Sequence, residues 1–428
     1  MELTQRHIQA LRRCGSGELI LAENLEDLAR DGMVENVPTS ELKVGQTAPR
    51  DLISSRGKIL LEAGEPIEQH HLDAVEASGN AYLSEVSARR ERILMADVLV
   101  EQLERRLPNL DLRVKPCALS DWIRPVGADR WPSLDQLEAF RATAVERLRR
   151  MFAKIEAGVP ADKDVLENIL NDLMDYLSNH QTRFPQLALL CRRNGEYLPD
   201  HTYTVTILAM AMAAQLKWPE DHVREVGRAG LLFDLGMLMV PERIRIGACE
   251  LTDMDRQRVN RHPIFGLVML EAVPDVLPIV QLCAMQHQER ENSSGYPYGK
   301  RKDAICDYAR VLAVADVYAA TAEPRHYRKP KLPYAAMEET LRLASAQILW
   351  PPAVRALVGA VGLFPVGSYV KLTNGDLAYV LATNPGQIDR PIIQPIDSAG
   401  QATDEQIDLS LTPKESLAVV RPIASPGD

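Results

Sequence analysis

Ala309-Arg310-Val311-Leu312-Ala313-Val314-Ala315-Asp316-Val317-Tyr318 reads as an apolar helix with one carboxylate inside it. An unpartnered carboxylate is costly to bury, so Asp316 must meet a cation or several hydrogen-bond donors. Upstream segments hold such groups. His201 begins an apolar helix running through Ile207, Leu208 and Ala211, and Asp234 ends another, Ala229-Gly230-Leu231-Leu232-Phe233-Asp234-Leu235-Gly236. His262 opens His262-Pro263-Ile264-Phe265-Gly266, and His287 stands at a helix end before Gln288-Glu289-Arg290. Imidazole with carboxylate suits Mn, Fe or Zn, and a carboxylate can bridge two such ions. Spacing alone leaves a plainer alternative for each His, a surface or hydrogen-bonded core residue.

The chain around these segments has 428 residues, 46% apolar and 25% charged. That is enough for two to four domains with at least one sizeable core, and it excludes wholesale disorder. A net charge of −10 argues against a nucleic-acid polymer as partner, although a local basic patch can still hold a phosphate. Six cysteines without a CxxC pair point away from a zinc ribbon and towards reduced thiols in a cytoplasmic protein. The N-terminus lacks an apolar signal core, and the best apolar stretch, Val205 to Leu216, is too short to span a bilayer. No membrane association is expected.

Residues 184–360, which carry the segments above, read as one compact helical domain. Residues 44–87 read as a small α/β module of sensor type. Ile59-Leu60-Leu61 is a short strand between turns, and a helix runs from Pro66 to Ser78. Leu3 to Gly15 echoes Ile67 to Gly79 with Gln, His, Ala and Gly kept, so residues 1–43 read as a partial copy whose start lies upstream of Met1. Two unrelated amphipathic helices are the alternative. Residues 88–183 form a helical linker or bundle, with helices at Leu134–Lys154 and Lys163–Leu177 and a proline-broken linker from Pro108 to Pro132. A homodimer through these helices is one expectation and a plain packed bundle the other. Residues 361–428 form a β extension, in which Asn374-Gly375 between two apolar runs signals a hairpin.

Taken in order, the motifs of residues 201–328 resemble the HD-GYP family. Leu231 to Met237 looks like its LLHDIGK segment, and His262-Pro263 with Gly266 and Leu270 like its HP..G...L. His287 to Pro297 resembles HHERxDGSGYP, Ala309 to Tyr318 resembles ARIxAVADxYD, and Arg325-His326-Tyr327-Arg328 resembles RPYR. The resemblance covers about half the chain. It implies a mainly α fold: a helical HD-type domain with a small β-rich N-terminal module and a C-terminal β-hairpin appendage. It also implies hydrolysis of cyclic di-GMP by water activated on two or three Fe or Mn ions. Carried over by position, His201, Asp234 and Asp316 would serve one metal, with Asp234 bridging, and His262 and His287 the other. Gly295, Tyr296 and Pro297 would contact the nucleotide, and Arg325 and Arg328 its phosphates.

The departures from that pattern fall on the chemistry. Phe233 stands for the His of the HD pair, Gln288 for the second His of the HH pair, and Met237 for a phosphate-contacting Lys. Phe has no lone pair for a metal, and a Gln carbonyl suits Ca or Mg better than Fe or Mn. The sequence therefore supports a cyclic di-GMP signalling protein with impaired or absent catalysis. It would act as a receptor for that or a related nucleotide, or as a scaffold for a signalling protein at the GYP loop. An active phosphodiesterase yielding pGpG or GMP is the alternative. The cofactor is Fe or Mn if any metal is held.

Overall fold

In the computed structural model, the described residues are 34–37, 43–46, 51–54, 59–61, 66–69, 81–84, 99–100, 102–118, 122–123, 134–157, 159–181, 183–189, 197–240, 242–245, 252–322, 332–384, 386–397 and 401–423. The chain divides into two units, residues 1–101 and 102–428. The first unit carries four strands: β1 (Val34–Val37), β2 (Asp51–Ser54), β3 (Ile59–Leu61) and β4 (Ala81–Ser84). They form an antiparallel sheet in the order β1-β4-β2-β3. Ile67 is buried and exchanges backbone hydrogen bonds with Gly45 and Gln46. Most of the helix expected after Pro66, and the echo at residues 3–15, lie outside the described residues.

The second unit is helical up to a C-terminal sheet. Its long helices are α1 (Leu134–Glu156), α2 (Lys163–Asn179), α3 (Tyr197–Gln215), α4 (Glu220–Leu232), α5 (His262–Leu270), α6 (Pro278–Gln286), α7 (Asp307–Ala322), α8 (Pro333–Ser345) and α9 (Pro351–Val361). In α2, Leu166, Ile169, Leu170, Leu173, Met174 and Leu177 are buried, an apolar stripe at helical spacing, and Asp162 caps the first turn by accepting from Asp164 N–H. α3 is different. Every residue from Leu198 to Ala214 is buried, because α1, α4, α7 and α9 surround it. A helix apolar on all sides can sit only at the centre of such a bundle.

Residues 110–118, read from their prolines as linker, lie against the helical core instead. Leu112 C=O accepts from Asp307 N–H at 3.0 Å, and Lys217 C=O accepts from Cys117 N–H at 2.7 Å. The Arg113 guanidinium reaches Asp307 Oδ1 at 2.5 Å and Ile305 C=O at 3.1 Å.

The C-terminal strands β5 (Tyr369–Leu372), β6 (Leu377–Asn384), β7 (Gln387–Ile396), β8 (Ile407–Asp408) and β9 (Val419–Ile423) make an antiparallel sheet ordered β8-β7-β6-β5-β9. The expected hairpin is its β5–β6 corner. Val370, Leu372, Ala378, Val380, Ile393 and Leu409 form its small core. Leu363 N–H bonds Ile388 C=O at 2.9 Å, and Tyr334 of α8 stacks on Phe364, so the sheet is tied to the helices. Among the described residues no helix is long and apolar enough to cross a membrane.

One buried ion pair fixes the start of α3. Arg141 of α1 donates to Asp200 Oδ1 at 2.7 Å, to Asp200 C=O, to Thr204 Oγ1 and to Leu187 C=O. Both partners are buried. Removing one member of such a pair strands the other charge, which costs about 3–5 kcal/mol. Arg141→Ala is therefore expected to lower unfolding free energy by about that amount in a urea titration. A loss below about 1 kcal/mol would show that the pair does not hold α3.

Candidate functional site

The helices bring the sequence's candidate residues to one place. His201 is in the second turn of α3, Phe233 and Asp234 follow α4, His262 begins α5, His287 follows α6, and Asp316 lies within α7. Gly236 permits the approach of the Asp234 turn to α5. A Cβ there would stand 1.9 Å from His262 C=O and 2.5 Å from Gly266 N, so any side chain would push the two segments apart.

Asp234, His262 and His287 each point one ligand atom into a space where all three lie within 4.8 Å of one another. Among the described residues, this is the only cluster of three or more potential ligands. His262 Nδ1 donates to Val259 C=O at 2.6 Å and His287 Nδ1 to Ala284 C=O at 2.9 Å. Those bonds fix both tautomers and leave both Nε2 atoms as lone pairs. The two Nε2 atoms face each other at 2.9 Å, with Asp234 Oδ1 3.4 Å from that of His262. Burial pushes the His262 pKa down to about 4. Burial, then the neighbouring His262, brings that of His287 down to about 3. Both imidazoles are thus neutral at pH 7, and converging lone pairs beside a carboxylate fit a cation.

The other half is built differently. Asp316 Oδ1 accepts from His201 Nε2 at 2.8 Å, and Oδ2 accepts from Gln288 Nε2 at 3.1 Å. Gln288 Oε1 accepts from Arg290 at 3.0 Å. Burial alone would raise the Asp316 pKa, but the His201 hydrogen bond and the surrounding positive groups outweigh it and hold the carboxyl well below the usual range. Phe233 is fully buried, its ring edge-on to His287 with centroids 4.8 Å apart and 6.3 Å from that of His201. Tyr197 stacks on His201 at 5.1 Å.

The Gly-Tyr-Pro loop closes one side. Glu289 is buried, and its two oxygens accept from Tyr298 N–H and Lys300 N–H, each at 2.8 Å. Gly295 lies against Gln288 and Glu289, where a Cβ would come within 2.4 Å of Gln288 C=O. Tyr296 sets its ring edge-on to His262 at 6.1 Å, and Pro297 is buried. Met237 is half-buried in the turn Leu235–Met239. Arg325 and Arg328 lie outside the described residues. Glu289, Arg290 and Tyr197 were not singled out from the sequence. The first two stand within the quoted motif, but nothing in the order of residues says which groups they bond.

Residues 164–347 match the sequence profile of the HD domain. Gly295-Tyr296-Pro297, part of the segment that resembles the HD-GYP motif, lies within that match. A cyclic di-GMP phosphodiesterase of Pseudomonas aeruginosa is 37% identical over 233 residues, 54% of this chain and 56% of that protein. The cyclic di-GMP phosphodiesterase response regulator RpfG of Xanthomonas campestris is 33% identical over 123 residues, 28% of this chain and 32% of its own length. The chain thus spans about half or less of the length of these relatives. Among solved structures, an HD-GYP protein of Bdellovibrio bacteriovorus aligns with a TM-score of 0.44 and 14% identity, over 76% of this chain and 98% of that one.

His262 and His287 give this segment a pH dependence. Their folded values of about 4 and about 3 lie below the unperturbed 6.5. Between those limits the unfolded chain binds protons that the folded chain does not, so stability is full above about pH 6.5 and is lost as pH falls. The melting temperature is expected to drop from pH 7 to pH 5, and His262→Gln with His287→Gln should flatten that slope. A slope unchanged in the double variant would assign it elsewhere.

Proposed function

We propose that this HD-GYP domain is a cyclic di-GMP signalling protein that binds the dinucleotide, or a close relative of it, and hydrolyses it poorly or not at all. Two observations support the ligand class: the HD-domain match, and relatives named as cyclic di-GMP phosphodiesterases. The observation that carries the loss of catalysis is Phe233. Its buried ring stands where the motif has an imidazole, between His201 and His287, and it offers no lone pair.

Asp234, His262 and His287 would hold a divalent cation, with Fe or Mn suited to that donor set. Bound there, the cation would supply positive charge to a phosphodiester oxygen. The remaining work falls to the chain's own groups. Tyr296, held by the Glu289-anchored loop, would present an aromatic face to a guanine base. Gly295 and Pro297 would shape the wall beside it. Arg325 and Arg328 would meet phosphate oxygens with paired N–H groups. Met237 adds no charge, and losing a cation at such a place removes transition-state stabilisation commonly worth about 3 kcal/mol.

The test is binding and turnover on one preparation. Calorimetry with cyclic di-GMP is expected to give saturable binding. Chromatography of the same mixture with Mn²⁺ should show turnover at least about 100-fold below that of Phe233→His/Gln288→His/Met237→Lys. Turnover by the natural chain equal to that of the variant would establish an active phosphodiesterase instead. Absence of binding would overturn the receptor reading and favour a scaffold, with the exposed residues Asn292, Ser293 and Ser294 of the loop as its contact.

A further inference from the structure

We infer that the site takes a single divalent cation, at Asp234, His262 and His287, and that Gln288 and Arg290 fill its other half with a hydrogen-bonded chain that keeps a second metal out. This rests on the reading above that the pocket is an HD-type metal site, and it assigns Gln288 a role other than that of a weak ligand.

The Gln288 amide faces one way only. Its Nε2 donates to Asp316 Oδ2 at 3.1 Å, while its Oε1 accepts from Arg290 at 3.0 Å. Rotating the amide by half a turn would set Oε1 against a carboxylate oxygen and the NH2 group against a guanidinium, and both contacts would be repulsive. The orientation is therefore determined by its neighbours. The oxygen that would have to bind a metal is committed to Arg290. Arg290 is itself pinned, donating to His287 C=O and Glu289 C=O, each at 2.9 Å.

Asp316 is equally committed. One oxygen accepts a hydrogen bond from His201 and the other from the Gln288 amide. A metal entering here would find His201 and Asp316 as its own donors and Phe233 where the motif has an imidazole, so its third ligand would have to be Asp234, already shared with His262 and His287. It would also displace two hydrogen bonds and approach the Arg290 charge. The His201 hydrogen bond, with the Arg290 charge behind the amide as a lesser contribution, already keeps Asp316 ionised in an apolar helix. The Asp234 half has the opposite character. Two imidazole lone pairs face each other at 2.9 Å, and no donor of the Gln288–Arg290 chain bonds either Nε2. One half is neutralised by protein, and the other fits a cation. Gln288 and Arg290 are thus positioning residues, acting through Asp316.

The experiment is a metal count on the full chain. Purified protein is loaded with Mn²⁺, desalted and measured by mass spectrometry, and its electron paramagnetic resonance spectrum is recorded. About one Mn²⁺ per chain is expected, with the spectrum of an isolated ion. His262→Gln should abolish binding, whereas His201→Gln and Asp316→Asn should leave the count unchanged. About two ions per chain in the natural protein, or an exchange-coupled spectrum, would overturn the inference. So would loss of the ion in a folded His201→Gln protein. No bound metal at all would overturn it too. Cyclic di-GMP binding measured in chelator on that same sample would then show whether the receptor reading survives. The spectrum of the natural chain decides the matter even where a variant does not fold.

Discussion

A carboxylate placed inside an apolar helix must be given positive or hydrogen-donating neighbours, and the arrangement around Asp316 follows from that requirement. α7 cannot move Asp316 to water without exposing the apolar residues on either side of it. The partners therefore have to come to it. α3 brings His201, and the loop after α6 brings Gln288 with Arg290 behind it. A few ångströms away the balance is reversed. His262 and His287 spend their protons on backbone carbonyls and present bare nitrogens. The pocket thus contains one group whose charge is answered internally and one set whose lone pairs are not.

That division holds only if the surrounding helices are rigid, and the anchoring contacts are buried ones. Arg141 fixes the start of α3 one residue before His201. At the start of α7, Asp307 receives Arg113 and Val114 from residues 110–118, and also Arg310. Arg310 in turn pairs with Glu291 at 3.0 Å and lies over the Trp350 ring. A run of charges therefore joins the segment before α1 to the loop that carries Gln288 and Arg290. Exposed ion pairs such as Lys163–Asp275 contribute little, because water screens them. The Asp307 and Arg310 group is buried, so each member depends on the others.

The sequence made some of this legible and not the rest. The order His201, Asp234, His262, His287, Asp316 was readable because it follows the order of the HD-GYP motifs, with Asp316 set inside an apolar run, and the β5–β6 hairpin was readable from Asn374-Gly375. β9 was not, because Arg421 and Pro422 break the apolar pattern of an edge strand. The docking of residues 110–118 was hidden for a different reason. Proline spacing reports only that a segment is not regular, whereas its placement depends on Arg113 finding Asp307, 194 residues away. Gln288 shows the same limit within the site. Its residue type suggested a weak metal ligand, and only the positions of Arg290 and Asp316 decide which end of the amide faces where.

That last point changes how the departures at Phe233 and Gln288 combine. Taken singly, each removes one imidazole and weakens one metal position. In the folded chain they act on the same half-site. Phe233 fills volume beside His201 and His287, and Gln288 satisfies the carboxylate that a metal would otherwise neutralise. An imidazole restored at position 233 alone would face an Asp316 whose oxygens are already bonded. One restored at position 288 alone would face the Phe233 ring and leave Arg290 without its side-chain acceptor. After either single reversal Asp316 is still bonded to the Gln288 amide or still lacks the imidazole at position 233. The two substitutions are therefore coupled through Asp316, and the site with both is internally consistent: a polar chain closed on itself on one side, and a three-ligand cluster on the other.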